Sequence, residues 1–265
     1  MRIALLTGGG DSSAINAAIR AVVRKAIADG HEVIGIKRGW RGLVYDEVEP
    51  LFMGSVSGII QRGGTILGTS RTNPFKIENG LENIMVNLRK HGIDAVIAIG
   101  GEDTNGVAHR LAEHGVKCVG VPQTIDNDLP GTDYSIGFDT AVNTAVEAID
   151  RIRDTAVSHE RVFAVEVMGR HRGTLAAAVA LASGAEVVCT PETPLSIEAV
   201  AAALQRGSAL GKVSSIIIVA EGVPGGAVGL AEALRRQTSY DVRVTVLGHV
   251  QRGGPPTAFD RILAS

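Results

Sequence analysis

The sequence predicts an α/β protein built from two doubly wound halves. Three observations predict it: apolar strands alternate with amphipathic helices, glycine loops ending in an acid follow some of those strands, and 33 glycines occur without any low-complexity run. Strand–helix–strand order is the unit of a parallel sheet. Because 265 residues exceed a typical single domain, we expect two subdomains with the active site in the cleft between them.

The first half begins with a predicted strand at 2–6 and a helix. From Asn16 to Asp29 apolar residues recur at helical spacing, and Gly30 ends the helix. The polar stretch 37–73 is expected to be irregular. The other predicted elements of this half are strands at 31–36, 94–99 and 117–121 and helices at 82–91 and 104–114.

The second half repeats the alternation without a short-period sequence repeat. It begins with a long helix at 138–157, where apolar residues recur every three or four positions. The remaining predicted elements are strands at 161–167, 186–189, 215–220 and 243–247 and helices at 174–182, 195–204 and 230–236.

Composition excludes several classes of protein. A formal net charge of −2 predicts no general affinity for polyanions such as nucleic acid. Cys118 and Cys189 lie in apolar runs without metal-ligand spacing, which indicates buried, reduced thiols. The N-terminus lacks the pattern of a signal peptide, and no apolar run reaches bilayer length. We therefore expect a cytoplasmic protein with no membrane and no nucleic-acid partner.

Polar residues cluster where predicted strands end. Thr124-Ile-Asp-Asn-Asp128 follows the strand at 117–121 and supplies two carboxylates, an amide and a hydroxyl. Alone it is equally typical of a turn, because Asn, Asp and Pro are ordinary turn formers. Gly8-Gly-Gly-Asp11 and Gly100-Gly-Glu-Asp103 also follow strands. Since ligands of open α/β sheets bind beyond the strand ends, convergence of three such loops predicts a site.

The chemistry of these loops indicates phosphate and a divalent cation. Backbone N–H groups of a glycine turn at a helix N-terminus bind anions, although one glycine loop alone is as typical of a tight turn. Glu102, Asp126 and Asp128 would repel a phosphate unless a cation intervenes, which implies Mg²⁺.

Four motifs resemble those of the phosphofructokinase family: TIDND, the GGED loop before it, MGRHRG at 168–173 and GHVQRGG at 248–254. The match is colinear along the whole chain. The resemblance implies two Rossmann-like domains and phosphoryl transfer to the C1 hydroxyl of fructose 6-phosphate. It implies a donor-phosphate and magnesium domain at 1–137, to which 251–265 return, and a fructose 6-phosphate domain at 138–250.

The resemblance also implies catalytic roles. Asp126 matches the general base that takes the proton from the C1 hydroxyl, and Glu102 matches the acid that holds Mg²⁺. Arg71 and Arg170 match basic residues that stabilise charge on the phosphoryl group. Thr124 matches a contact of that group, and Gly10 matches the glycine whose backbone N–H faces it. Phosphoryl transfer needs this alignment and neutralisation more than covalent chemistry.

The donor is predicted to be pyrophosphate, with ATP as the alternative. ATP-using members of the family usually carry glycine where this chain has Asp103, and a carboxylate there would crowd a nucleotide phosphate. Pyrophosphate-using members normally carry lysine where this chain has neutral Gln123, which weakens the prediction. The residues expected to bind the donor are Gly10, Arg71, Gly101, Asp103, Thr104 and Gln123.

A second set of residues matches the family's sugar-phosphate contacts. Several are arginines, whose planar guanidinium suits a phosphate. The set implied to bind substrate is Thr124, Asp126, Arg161, Met168, Arg170, Glu221, Arg243, His249 and Arg252. In the family the counterparts of Arg161 and Arg243 come from a neighbouring subunit, which implies a homo-oligomer, either a dimer or a tetramer.

Three departures from the family pattern bear on activity. The first loop reads Asp11-Ser-Ser-Ala14 where members normally have Asp-x-Pro-Gly, and alanine adopts positive φ with difficulty. Arg172 stands where a small residue is usual and could either aid the binding of an anion or block the pocket by overpacking. The chain ends before the C-terminal helices of other members, as a short homologue or an engineered or truncated form would. An alternative is therefore a non-catalytic sugar-phosphate-binding protein.

Overall fold

The protein, described here by a computed structural model of residues 1–265, folds into two compact units. The first contains residues 1–124, 129–139 and 252–265, and the second contains residues 125–128 and 140–251. The TIDND stretch is thus divided, because Thr124 belongs to the first unit and the next four residues to the second.

The first unit is built on a five-stranded sheet in the order β3-β2-β1-β4-β5. Neighbouring strands are parallel except β3, which runs antiparallel to β2. Its strands are β1 (Arg2–Gly8), β2 (Glu32–Ile36), β3 (Val48–Leu51), β4 (Ala95–Gly100) and β5 (Cys118–Pro122). Its helices are α1 (Ile15–Ala28), α2 (Trp40–Tyr45), α3 (Gly80–Lys90) and α4 (Glu102–Glu113), with α9 (Ala258–Leu263) returning from the end of the chain.

Both faces of this sheet are covered, as a doubly wound sheet requires. Along β1, Leu5 packs with the apolar side of α1, whereas Ala4 and Leu6 pack with α2, α3 and α4 on the opposite face. The alternation follows from the two-residue period of a strand. All three side chains are fully buried.

The second unit carries a four-stranded parallel sheet in the order β7-β8-β6-β9. Its strands are β6 (Val162–Val167), β7 (Val187–Cys189), β8 (Ser215–Ala220) and β9 (Val242–Val246). Its helices are α6 (Thr174–Ser183), α7 (Ile197–Ala209) and α8 (Gly226–Gln237), and α5 (Phe138–Ser158) leads into it. The predicted α/β class and the alternation of its elements are confirmed.

The stretch 37–73 was expected to be irregular, and this prediction is wrong. It contains α2 and β3, followed by a 3-10 helix at Met53–Val56. In α2, Trp40, Leu43 and Val44 are buried at helical spacing, but six residues are too few for the pattern to stand out in the sequence. Strand β3 is only four residues long and gains its pairing from β2.

Boundaries differ from the predictions by a few residues, most at α7 and α8. Helix α7 begins at Ile197, two residues later than predicted, because Ser196 caps it with a hydroxyl that accepts from Ala199 N, and it runs on to Ala209. Helix α8 begins at Gly226, four residues before the predicted start.

Both cysteines are free thiols, and burial raises the pKa of each to about 11. No helix has both the length and the apolar character that crossing a bilayer demands.

We expect Gly100→Ala to destabilise the protein because a Cβ there would lie 2.6 Å from the carbonyl oxygen of Gly8 and 2.6 Å from Thr104 Cβ. Neither neighbour can withdraw without disturbing the β1–β4 register, so the loss should be about 1–3 kcal/mol. Urea unfolding measures it. Gly106→Ala is the matched control, since a Cβ there meets nothing within 4 Å in the middle of α4. It should stabilise by roughly 0.5–1 kcal/mol. Equal effects of the two changes would contradict the packing argument.

Candidate active site

Three strands of the first unit end side by side. Gly8 pairs with Gly100 across β1 and β4, and Gly100 pairs with Pro122 across β4 and β5. Buried Thr104 fills the space beside them, because a Cβ at Gly8 would lie 2.7 Å from its Oγ1. Three loops therefore leave the same edge of the sheet, as predicted from their position after strands.

The first loop is tied to the segment that carries Arg71. Gly9 N donates to Ser70 O at 3.1 Å, and Thr69 Oγ1 donates to Gly9 O at 2.8 Å. Gly9 takes a φ of +80°, which only glycine adopts without strain. The two bonds hold the segment that carries exposed Arg71 beside the glycine loop.

The altered residues of the first loop fit their backbone. Ala14 precedes α1 with φ −102° and ψ 7°, so the expected conflict between alanine and a positive φ does not arise. Ser12 and Ser13 are buried, and their hydroxyls donate to Ile136 O at 3.4 Å and Gly253 O at 2.9 Å. The departures from the family pattern are thus accommodated locally.

Arg252, expected among the sugar-phosphate ligands, belongs to the first unit and lies against the first loop. Its Nη1 donates to Asp11 O at 3.0 Å. A Cβ at Gly10 would lie 2.5 Å from the same nitrogen, so glycine there leaves room for the guanidinium. A cation therefore stands directly on the loop predicted to receive phosphate.

The second loop presents its acids at a helix N-terminus. Glu102 and Asp103 occupy the first turn of α4, where the helix dipole favours negative charge, and both are exposed. Gln123 follows β5 and is 1% exposed, yet neither its Nε2 nor its Oε1 has a hydrogen-bond partner. Backbone bonds fix this segment, since Gln123 N donates to Gly100 O and Thr124 N donates to Ile136 O.

In the second unit, Asp126 and Arg170 lie together. The side chain of Asp126 is 5% exposed, and its Oδ2 lies 3.7 Å from Nε of the half-exposed Arg170. Two of the residues predicted to be catalytic are therefore adjacent. An Arg guanidinium beside a buried carboxylate stabilises its charge.

The loop that carries Arg170 has an unusual backbone held by Glu221. Arg170 has a φ of +52°, and Gly169 has a φ of +136°. Glu221 Oε1 accepts from Arg170 N at 2.6 Å and from Gly169 N at 3.1 Å. Glu221 was expected to accept from sugar hydroxyls; here one of its oxygens is already bonded to the loop. Met168, just before the loop, is 8% exposed.

Arg161 and Arg243 share one carboxylate. Asp241 Oδ2 lies 2.7 Å from Arg161 Nε, and its Oδ1 lies 2.9 Å from Arg243 Nε. Hydrogen bonds from Arg243 and then Arg161 lower the pKa of Asp241. His249 is exposed in the 3-10 helix Gly248–Arg252. Sequence reasoning missed Asp241, because an acid two residues before an arginine carries no motif.

Arg172 does not overpack the site, contrary to one expectation. Its side chain is exposed, and the interior position beside it is taken by Gly173, whose N donates to both oxygens of Glu192 at 3.0 Å. This backbone bond is the main cause that lowers the pKa of Glu192, and Arg172 contributes. Arg172 therefore adds positive charge at the start of α6 without filling the loop.

Fold and site together define a class: a two-unit parallel α/β protein whose glycine loops, carboxylates and arginines suit phosphate chemistry. Comparison with known proteins identifies the family within this class. The family description "Phosphofructokinase" matches residues 2–265. The chain belongs to the phosphofructokinase family, as its motifs indicated.

Among curated relatives, ATP-dependent 6-phosphofructokinase 1 of Thermus thermophilus is 58% identical over 266 residues, which are 100% of this chain and 83% of the relative. ATP-dependent 6-phosphofructokinase of Bacillus mycoides is 55% identical over 264 residues, covering 100% and 82%.

Solved structures agree on the fold. A phosphofructokinase from Saccharomyces cerevisiae superposes with a TM-score of 0.91 at 36% identity, over 99% of this chain but 40% of that longer chain. A pyrophosphate-dependent phosphofructokinase from Marinobacter aquaeolei superposes with a TM-score of 0.84 at 26% identity, covering 100% and 73%.

We expect Glu221→Ala to destabilise the protein by about 1–3 kcal/mol, because two backbone N–H groups lose their acceptor and Arg170 keeps a left-handed φ. Glu221→Gln retains an oxygen acceptor and should lose less. Thermal and urea unfolding measure both. Glu232→Ala, which removes an exposed glutamate from α8 of the same unit, should change stability by less than roughly 0.5 kcal/mol. Similar losses for Glu221→Ala and Glu232→Ala would show that the hydrogen bonds accepted by Glu221 contribute nothing to stability.

Proposed function

We propose that this chain is a 6-phosphofructokinase that transfers a phosphoryl group from ATP to the C1 hydroxyl of fructose 6-phosphate, giving fructose 1,6-bisphosphate. The observation that carries the proposal is the buried carboxylate of Asp126 beside the guanidinium of Arg170, on a chain that belongs to the phosphofructokinase family. A general base must come within hydrogen-bond reach of the proton that it takes, and the burial of Asp126 limits the access of bulk water to its carboxylate.

The mechanism is an in-line displacement. Asp126 accepts the proton of the C1 hydroxyl as the C1 oxygen forms its bond to the γ-phosphorus. The bond between that phosphorus and the β–γ bridging oxygen breaks, and ADP leaves with the electron pair. Arg170 and Arg71 offset the negative charge that spreads over the transferred group. The backbone N–H of Gly10 binds its oxygens, whereas Gly9 N already donates to Ser70 O.

Mg²⁺ is the proposed cofactor. The chain has no group of three or more His, Cys, Asp or Glu side chains that could enclose a metal. Exposed Glu102 fits the other mode, in which Mg²⁺ takes one or two carboxylates, water and the oxygens of bound phosphates. When bound there, the ion would neutralise donor phosphate charge beside the acids of the second loop.

ATP is the better supported donor, although the sequence alone favours pyrophosphate. Relatives named ATP-dependent are 54–58% identical to this chain, whereas a structure named pyrophosphate-dependent is 26% identical. Two features of the chain agree with ATP. Gln123 brings no cation to the second loop, Gly100–Asp103, which we call the donor loop. Asp103 is exposed on the first turn of α4, where its carboxylate can stay in solvent.

The sugar-phosphate is proposed to be bound by the substrate residues named above, with Arg161 and Arg243 supplied to a neighbouring copy of the chain in a homo-oligomer. Asp241 holds both guanidiniums at one place, which suits a dianionic phosphate. The division into a donor domain and a sugar domain belongs to this same proposal. A non-catalytic sugar-phosphate-binding protein is the alternative that the activity assay distinguishes.

The first test is formation of fructose 1,6-bisphosphate from fructose 6-phosphate and Mg²⁺, with ATP and pyrophosphate in parallel reactions. We expect turnover with ATP and much slower turnover with pyrophosphate. Asp126→Asn should lower kcat by about 10²–10⁴, since the base is lost. Asp150→Asn, an equal change on the exposed side of α5, should have no effect. Saturable sugar-phosphate binding without product from either donor would contradict the proposed enzyme and support the non-catalytic sugar-phosphate-binding protein.

A second variant tests the donor loop. Asp103→Asn removes one negative charge near the proposed nucleotide phosphates, so KM for ATP should fall roughly two- to fivefold, less at high salt because the group is exposed. The control is Glu113→Gln at the other end of α4, which changes net charge equally. If both variants shift KM alike, overall charge and not position 103 is responsible. An unchanged KM for Asp103→Asn would mean that its carboxylate lies away from the donor.

A further inference from the structure

Ser13 lies in the first loop, and its side-chain hydroxyl makes a hydrogen bond. Ser13 is 1% exposed, and its Oγ donates to Gly253 O at 2.9 Å with Arg252 O next to it at 3.5 Å. A buried hydroxyl needs such a partner, because an unpaired one costs free energy.

The same two segments are joined a second time in the opposite direction. Arg252 Nη1 donates to Asp11 O at 3.0 Å. Thus the first loop donates to the backbone of 252–253, and the side chain of Arg252 donates back to the backbone of the loop. Reciprocal bonds fix both the position of the segment and the direction of its guanidinium, which lies on Gly10.

The other side of the segment is also confined. A Cβ at Gly63 would lie 2.5 Å from Gly254 O, so the two backbones are in close contact. The 62–66 stretch is itself fixed by the buried amide of Asn16. Its Nδ2 donates to Arg62 O and Gly63 O, and its Oδ1 accepts from Ile66 N at 2.8 Å. Residues 252–254 therefore lie between the start of α1 and a rigid loop.

We infer that Ser13 is a positioning residue. Its hydroxyl holds the backbone of residues 252–253 against the first loop, a contact that we call the latch, and so sets the guanidinium of Arg252 over Gly10. The inference rests on the proposed function, in which Arg252 binds the sugar phosphate. Loss of the hydroxyl should therefore weaken binding of fructose 6-phosphate through Arg252 and leave the chemical step alone.

Limited trypsin digestion tests the latch without any need for activity. The peptide bond after Arg252 leads into exposed Gly253 and Gly254, and trypsin requires that this segment be released. Ser13→Ala should speed cleavage at this bond roughly three- to tenfold, as expected for one lost hydrogen bond. Mass spectrometry identifies the site: local release raises cleavage after Arg252 alone, whereas general destabilisation raises it after many arginines.

Ser12→Ala is the matched control. It removes a hydroxyl from the neighbouring buried serine, whose contact is a longer 3.4 Å bond to Ile136 O. It should leave cleavage after Arg252 at the wild-type rate. Cleavage there at the wild-type rate in Ser13→Ala as well would overturn the inference.

Kinetics show whether Ser13 acts through Arg252. Ser13→Ala should raise KM for fructose 6-phosphate roughly three- to tenfold with kcat changed less than about twofold, and should add nothing in an Arg252→Ala background. An undiminished effect of Ser13→Ala in that background would refute the route through Arg252. Absence of turnover in the wild type would refute the proposed function instead. The digestion experiment would still test whether the Ser13 hydroxyl holds residues 252–253 in place.

Discussion

The register of three parallel strands is the constraint on which the first unit's site depends. Gly8, Gly100 and Pro122 lie in one row across β1, β4 and β5, so the three loops that follow start at the same level. The row is compact because two of its members lack side chains and Thr104 packs against both. Without that row, the glycine N–H groups, the acids of α4 and the TIDND stretch would leave the sheet at different heights.

Outside this row, loops are held by single polar side chains that cap backbone groups. Asn16 fixes the 62–66 stretch, and Glu221 fixes the loop of Arg170. Each bond is modest alone. The 62–66 stretch lies against the segment that carries Arg252, and the loop held by Glu221 carries Arg170. The arrangement keeps arginines exposed enough to meet a phosphate while their backbones stay fixed, which is the preorganisation that electrostatic catalysis requires.

The sequence predicted the strand–helix alternation and the loops after β1, β4 and β5, because those signals are local. It failed at 37–73, where α2 and β3 are too short to show a period and depend on their neighbours. It placed Arg252 among the sugar-phosphate ligands while assigning 251–265 to the donor domain, and the fold sets the guanidinium of Arg252 on Gly10. The partners Asp241 and Ser13 were beyond prediction, since their contacts join residues far apart in the chain or carry no motif.

The donor loop shows why a residue's type is weaker evidence than its surroundings. A carboxylate at position 103 argues against a nucleotide only if it is forced toward the phosphates. On the first turn of α4 it is exposed, and water screens its charge. Gln123 is the opposite case, because its amide is buried without a hydrogen-bond partner. Solvent does not reach this amide, so its lack of charge acts on its surroundings unscreened. Under the proposed function, a buried neutral group beside the loop at Gly100–Asp103 therefore constrains the choice of donor more strongly than an exposed acid does.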